Sequence, residues 1–242
     1  LRKLATAATF NPSLPYLSFL CINFDAPVVK EAASWFLGGV FLNYNSSYLE
    51  RALEQMLDEA DSPEVTRFLR AVDVRIDGFR VEKAPEGRGQ RVFVKHEVDG
   101  KGYELRLSEE SAGTQKLMGL AAFLLAALER GGTVVVDELD AKLHPKLLRY
   151  VILLFKDPEV NKHGAQLIFS SQDVSTMRND VFRRDEIWFA ARGEGEASQL
   201  WSLADIHEAN GNLVSKNAAF DKQYLSGRYG ADPYLTRIEE WD

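Results

Sequence analysis

Asp137, Glu138 and Asp140 follow three consecutive valines in "TVVVDELDAKLHP" (133–145), so an apolar run ends in concentrated negative charge. A second polar cluster, "SSQD" (170–173), closes the apolar run "AQLIF" (165–169). A third, "SEESAGTQK" (108–116), stands directly before an apolar helical pattern. There, backbone N–H groups, the helix dipole and the hydroxyls of Ser111 and Thr114 would form an anion site suited to a phosphate. Each cluster also has a plain reading, as the exposed start of a loop or as a helix cap, with Ser111 an ordinary N-cap.

The elements that would position these groups follow from periodicity. Leu117, Leu120, Leu124 and Leu128 recur at helical spacing between Gly113 and the stop "RGG". A strand over 133–137 comes next, then a helix opened by Pro145 with Leu147, Val151, Leu154 and Phe155 on one face, then a strand over 165–169. Strand, helix and strand in this order predict a βαβ unit in a parallel sheet, whose carboxyl edge is where such folds bind ligands. Both polar clusters would meet at that edge. Strands are also expected at 186–191 and 198–203, with a polar tail from 204.

Upstream, "VRIDGFRVEK" (74–83) and two runs around "VDGKG" alternate with period two, and Asp-Gly marks a hairpin, so an antiparallel stretch is expected. Residues 15–24 read as a short strand or buried extended segment, and helices are expected near 28–37, 47–59 and 63–71.

Bulk properties bound the function. A chain of 242 residues, 45% hydrophobic, can bury one substantial core or a core with an appended lobe. The formal charge of −7 offers no whole-chain argument for nucleic acid; Arg178, Arg183 and Arg184 with Lys216 and Lys222 could touch nucleic acid or a partner, but they read first as solvated charge. Cys21, the sole cysteine, allows no intrachain disulfide and suits a reducing, cytoplasmic setting. The apolar window "GLAAFLLAAL" (119–128) falls well short of the roughly 20 residues of a membrane span, and the N-terminus has no signal-peptide pattern. His96, His163 and His207 show no metal-ligand spacing, and Trp35, Trp188 and Trp201 read as core or interface aromatics. Without an initiator methionine, the chain reads as one that begins partway through a larger protein.

The order of the motifs resembles the C-terminal half of ABC-type ATPase heads, closest to the AAA-family ATPases of bacterial abortive-infection and other phage-defence systems, which are related to the heads of overcoming-lysogenisation-defect nucleases and SMC-like proteins. "SAGTQK" matches the signature motif, "TVVVDELDAKLHP" the Walker B and D-loop, and "AQLIFSSQD" the switch-loop strand. The resemblance implies an α/β fold, a P-loop NTPase-like ABC ATPase head with a parallel βαβ core, an antiparallel β stretch and a small helical lobe. Residues 1–72 would be the helical lobe or insertion and 73–242 the C-terminal part of the ATPase core.

It also implies roles. Asp137 would hold Mg²⁺ and Glu138 would polarise the water that attacks ATP. Ser111, Gly113, Thr114 and Lys116 would serve ATP binding across a dimer of heads. Asp140 to His144 would form the D-loop, although His144, just before Pro145, reads equally as a helix cap. An effector, a nuclease by family habit, and nucleic acid are the expected partners, and no membrane is.

Two departures stand out. Gln172 occupies the position where the family's switch loop carries histidine, and glutamine cannot take a proton near neutral pH. No "GxxxxGK[ST]" occurs in the 242 residues, so the cradle for the α- and β-phosphates is expected upstream of Leu1. A silent scaffold that holds an effector is the competing reading, and an SMC-like DNA-repair head, which would predict a coiled-coil heptad run, is a third.

Overall fold

The computed structural model describes residues 16–23, 26–38, 40–42, 63–72, 76–83, 90–192, 197–208 and 210–231. The helix expected at 47–59 lies outside them. Two compact units make up the chain: Leu1–Lys142 with Leu154–Ser170, and Leu143–Leu153 with Ser171–Asp242.

The first unit begins with α1 (Tyr16–Asn23), α2 (Pro27–Gly38), β1 (Val40–Leu42) and α3 (Pro63–Ala71). Residues 16–23 are helical where an extended segment was expected. Their run "YLSFLCIN" is apolar but for Ser18 and Asn23, so neither a helical nor a strand period can be read from it, and packing of α1 against α2 decides the outcome. β1 was not anticipated, because three apolar residues after a glycine pair carry no alternation.

An antiparallel sheet of β2 (Gly78–Lys83), β3 (Gln90–Val98) and β4 (Lys101–Arg106) follows, with the hairpin turn at Asp99-Gly100 as its sequence predicts. The central helix α4 (Ala112–Arg130) then runs from Ser111, whose side chain caps it, to Gly131. Residues 116–124 of α4 are all buried, so the leucine stripe is one part of a helix enclosed on nearly every side. α3 packs on α4 and on β2, and α4 packs against β5 (Thr133–Val136).

β5 is the middle strand of a parallel sheet, ordered β1, β5, β6. α5 (Pro145–Lys156) connects it to β6 (Gln166–Phe169), which completes the expected strand, helix and parallel strand. On α5 the buried positions are Leu148, Val151 and Ile152, while Leu147, Leu154 and Phe155 are half-buried, so the apolar face is rotated from its expected position. The side chain of Asn161 bonds the carbonyls of Phe155 and Ala165 and the Ala165 amide, closing the turn before β6.

In the second unit, among the described residues, β7 (Trp188–Arg192) and β8 (Ser198–Ser202) pair as a two-stranded antiparallel ribbon. Ile187, Phe189, Leu203, Val214, Phe220 and Tyr229 form its core, and α6 (Phe220–Leu225) supplies one of them. Phe189 stacks on Tyr224 with ring centroids 5.7 Å apart and meets Tyr229 at 5.3 Å. The tail that reads as polar therefore contributes three members of a buried cluster. Trp201 packs against this cluster, whereas Trp35 and Trp188 are exposed rather than core residues.

Candidate functional site

The parallel pairing of β5 with β6 places Val136 opposite Phe169, so Asp137 and Ser170 leave the sheet together at its carboxyl edge. The Ser170 hydroxyl donates to Asp137 Oδ1 and accepts from the Glu138 amide at 2.8 Å. Backbone bonds from the Ser170 amide to the Val136 carbonyl (3.1 Å) and from the Leu139 amide to the Ser170 carbonyl (3.0 Å) extend the ladder beyond the strands. Asp137 and Glu138 are exposed at this edge, while Leu139, wholly buried, anchors the segment.

The backbone then turns sharply. Glu138 has φ +50° and Lys142 φ +62°, left-handed values that cost an L-residue roughly 1–2 kcal/mol each. Such a conformation persists where the surroundings over-determine it. Here Lys116, on the second turn of α4 and only 4% exposed, donates from Nζ to the Glu138 carbonyl at 2.6 Å and to the Ala141 carbonyl at 2.9 Å. Burial pushes its ammonium down to about 8, against the attraction of Asp140 and Glu138. A Cβ added at Gly113 would stand 2.9 Å from the Lys142 carbonyl oxygen, so the start of α4 closes directly on the far end of the turn.

At that helix start, Ser111 Oγ accepts from the Thr114 amide at 3.1 Å and lies 2.9 Å from the Thr114 hydroxyl. Ser111 is exposed, and Gly113 and Thr114 are half-buried. Behind it, His96 Nε2 meets Glu110 Oε1 at 2.6 Å, and Gln115 Nε2 donates to the Glu110 carbonyl at 2.7 Å. These bonds tie the antiparallel sheet to the segment that opens α4.

The structure thus joins Asp137, Glu138, Lys116 and Gly113 through Ser170 and the 138–142 turn, with Ser111 and Thr114 on the same helix start. Gln172 and His144 belong to the second unit. His144 Nδ1 accepts from the Lys146 amide and its carbonyl accepts from the Leu147 and Leu148 amides, the geometry of a helix cap. Gln172 is exposed, between Ser171, which accepts from the Asp173 amide, and Asp173, which receives the Ser175 hydroxyl and the Thr176 amide. Sequence reasoning gave no separate role to Ser170, and it put Lys116 toward the ligand rather than into the protein. Neither assignment had a local signal, since both depend on what the fold brings alongside.

Within the basic group, Arg178 and Arg183 are matched by local acids. Arg178 and Arg149 both pair with Asp180, and these two bonds, the one from Arg178 first, hold its carboxyl down at about 2. Arg183 pairs with Asp185 and Glu186, and Arg184 donates to the Val214 carbonyl. Among the described residues, no group of three or more His, Cys, Asp or Glu side chains is arranged to hold a metal by itself. Nor is any described helix long and apolar enough to cross a membrane.

A parallel βαβ core with carboxylates at its edge and a capped helix start beside them has the arrangement of a P-loop NTPase-like α/β fold. The family model described as "AAA domain, putative AbiEii toxin, Type IV TA system" matches residues 9–178, more than half of the chain, and the chain belongs to this AAA family. No curated protein matches it. Among solved structures it is similar to the SMC head domain with a coiled coil and joint from Pyrococcus yayanosii, with 17% identity and a TM-score of 0.42 over 66% of this chain and 28% of that one. It is also similar to the SMC head domain with an extended coiled coil from Pyrococcus furiosus, bound to the C-terminal domain of ScpA, with 17% identity and a TM-score of 0.38 over 63% of this chain and 34% of that one. The chain therefore spans well under two thirds of the length of these structures.

Proposed function

We propose that this chain supplies the Walker B, D-loop and signature parts of a dimeric ABC-type ATPase, in which ATP is bound between two heads and its hydrolysis controls an effector, a nuclease, in cytoplasmic antiviral defence. One observation carries the reading: Asp137 and Glu138 leave a buried parallel strand at its carboxyl edge, each tied to Ser170 of the neighbouring strand.

Mg²⁺ is commonly held by one or two carboxylates together with waters and substrate phosphates. Asp137 fits that demand, since the Ser170 hydroxyl occupies Oδ1 and Oδ2 remains as a ligand in an exposed setting. A cation held there would neutralise charge on the β- and γ-phosphates. Glu138 orients and polarises the attacking water, and most of the acceleration comes from positioning and charge. Ser111, Gly113 and Thr114 meet the γ-phosphate held by the other head through N–H groups and hydroxyls at the start of α4. The α- and β-phosphates are cradled by a loop outside these 242 residues, whose sequence holds no "GxxxxGK[ST]".

In the full-length protein, Glu138→Gln is expected to lower ATP turnover by roughly 10²–10⁴-fold while ATP stays bound and the dimer persists. Unchanged turnover would remove Glu138 from the mechanism. A second reading, a silent scaffold holding an effector, is favoured by exposed Gln172 where histidine is usual. Absence of ATP binding by the full-length protein would select it.

A further inference from the structure

We propose that Lys116 is a positioning residue for Glu138, holding the backbone of the 138–142 turn from inside the protein rather than contacting nucleotide. The inference rests on the proposed function for what Glu138 does, but not for how it is held. Glu138 is pinned at both of its backbone groups by different elements: its amide donates to Ser170 Oγ beyond β6, and its carbonyl accepts from Lys116 on α4. The second Lys116 bond, to the Ala141 carbonyl, spans the same turn between its two left-handed residues. The ammonium is almost wholly buried, so its reach is into the turn. Three residues earlier on the helix, Gly113 closes against the Lys142 carbonyl. The helix start that would bind an anion and the turn that carries the carboxylate are therefore one block, with Lys116 as its internal tie. Movement of α4 would change the aim of Glu138 through this tie.

The test uses the full-length protein with Lys116→Met, which keeps the length of the stem and removes the donors. Steady-state ATPase kinetics should show kcat lowered roughly 10- to 100-fold, the scale of a small misplacement at a reacting centre, with KM for ATP within threefold of wild type. Peptide-resolved hydrogen exchange, run without nucleotide, should show amides of residues 138–142 exchanging at least tenfold faster, with those of β5 unchanged. A raised KM with unchanged kcat would mean that the lysine binds nucleotide, and unchanged exchange over 138–142 would mean that it holds nothing there; either result overturns the proposal. If far-UV circular dichroism shows Lys116→Met to be unfolded, Lys116→Leu, which also removes the donors, is judged by the same two criteria. Wild-type protein that neither binds nor hydrolyses ATP would sink the proposed function alone, and the exchange measurement would still decide the role of Lys116.

Discussion

The hairpin turn after β3 and the turn after β5 use the same uncommon backbone and hold it by different means. Asp99 and Gly100 have φ +52° and +73°; Glu138 and Lys142 have φ +50° and +62°. At the hairpin the residue types suffice, since glycine is free at positive φ and aspartate tolerates it, and the turn is fully exposed. After β5 neither residue type favours the conformation. There Ser170, Lys116 and the contact with Gly113 supply what the local chain does not. A left-handed residue secured only by its own chemistry marks a turn, whereas one secured by three distant elements marks a place where position matters.

The sharpest way to break the second turn is from the helix. Gly113→Ala forces a Cβ to 2.9 Å from a backbone oxygen that cannot swing aside, and is expected to cost about 1–3 kcal/mol in urea unfolding. A variant as stable as wild type would mean that the turn yields to α4. A pH series sharpens the same comparison. Lys116 has its proton affinity lowered from 10.5 to about 8 in the folded state, so between these values the unfolded chain binds the extra proton. Stability should therefore rise with pH from 8 to about 10.5, by up to roughly 1.4 kcal/mol per unit, and Lys116→Met should lack that rise. The hairpin gives the smallest effects: Gly100→Ala should cost about 1 kcal/mol and leave ATP turnover untouched. A change in turnover there would show that the two turns are not independent.

The same division explains what could be read in advance. The β2–β4 sheet, the capped start of α4, the βαβ order and the carboxylates at its edge all follow from local period and turn chemistry. Missed elements depended on packing. α1 has a mostly apolar run that serves helix or strand equally, and β1 is too short to show alternation. β7 and β8 are legible as strands, but their pairing with each other goes with a core built with α6 and Tyr229. Of the candidate residues, Asp137 and Glu138 sit where the pattern put them. Lys116 turns inward, His144 caps α5, and Arg178 and Arg183 are matched by local acids.

By itself the sequence determined which groups arrive at the sheet edge, since a strand's end and a helix's start are properties of a few consecutive residues. Only the tertiary structure decided how those groups are aimed. Ser170 lies 32 residues from Glu138 and Lys116 lies 22 residues from it, and hydrogen bonds over such separations exist only once the sheet has paired and α4 has packed.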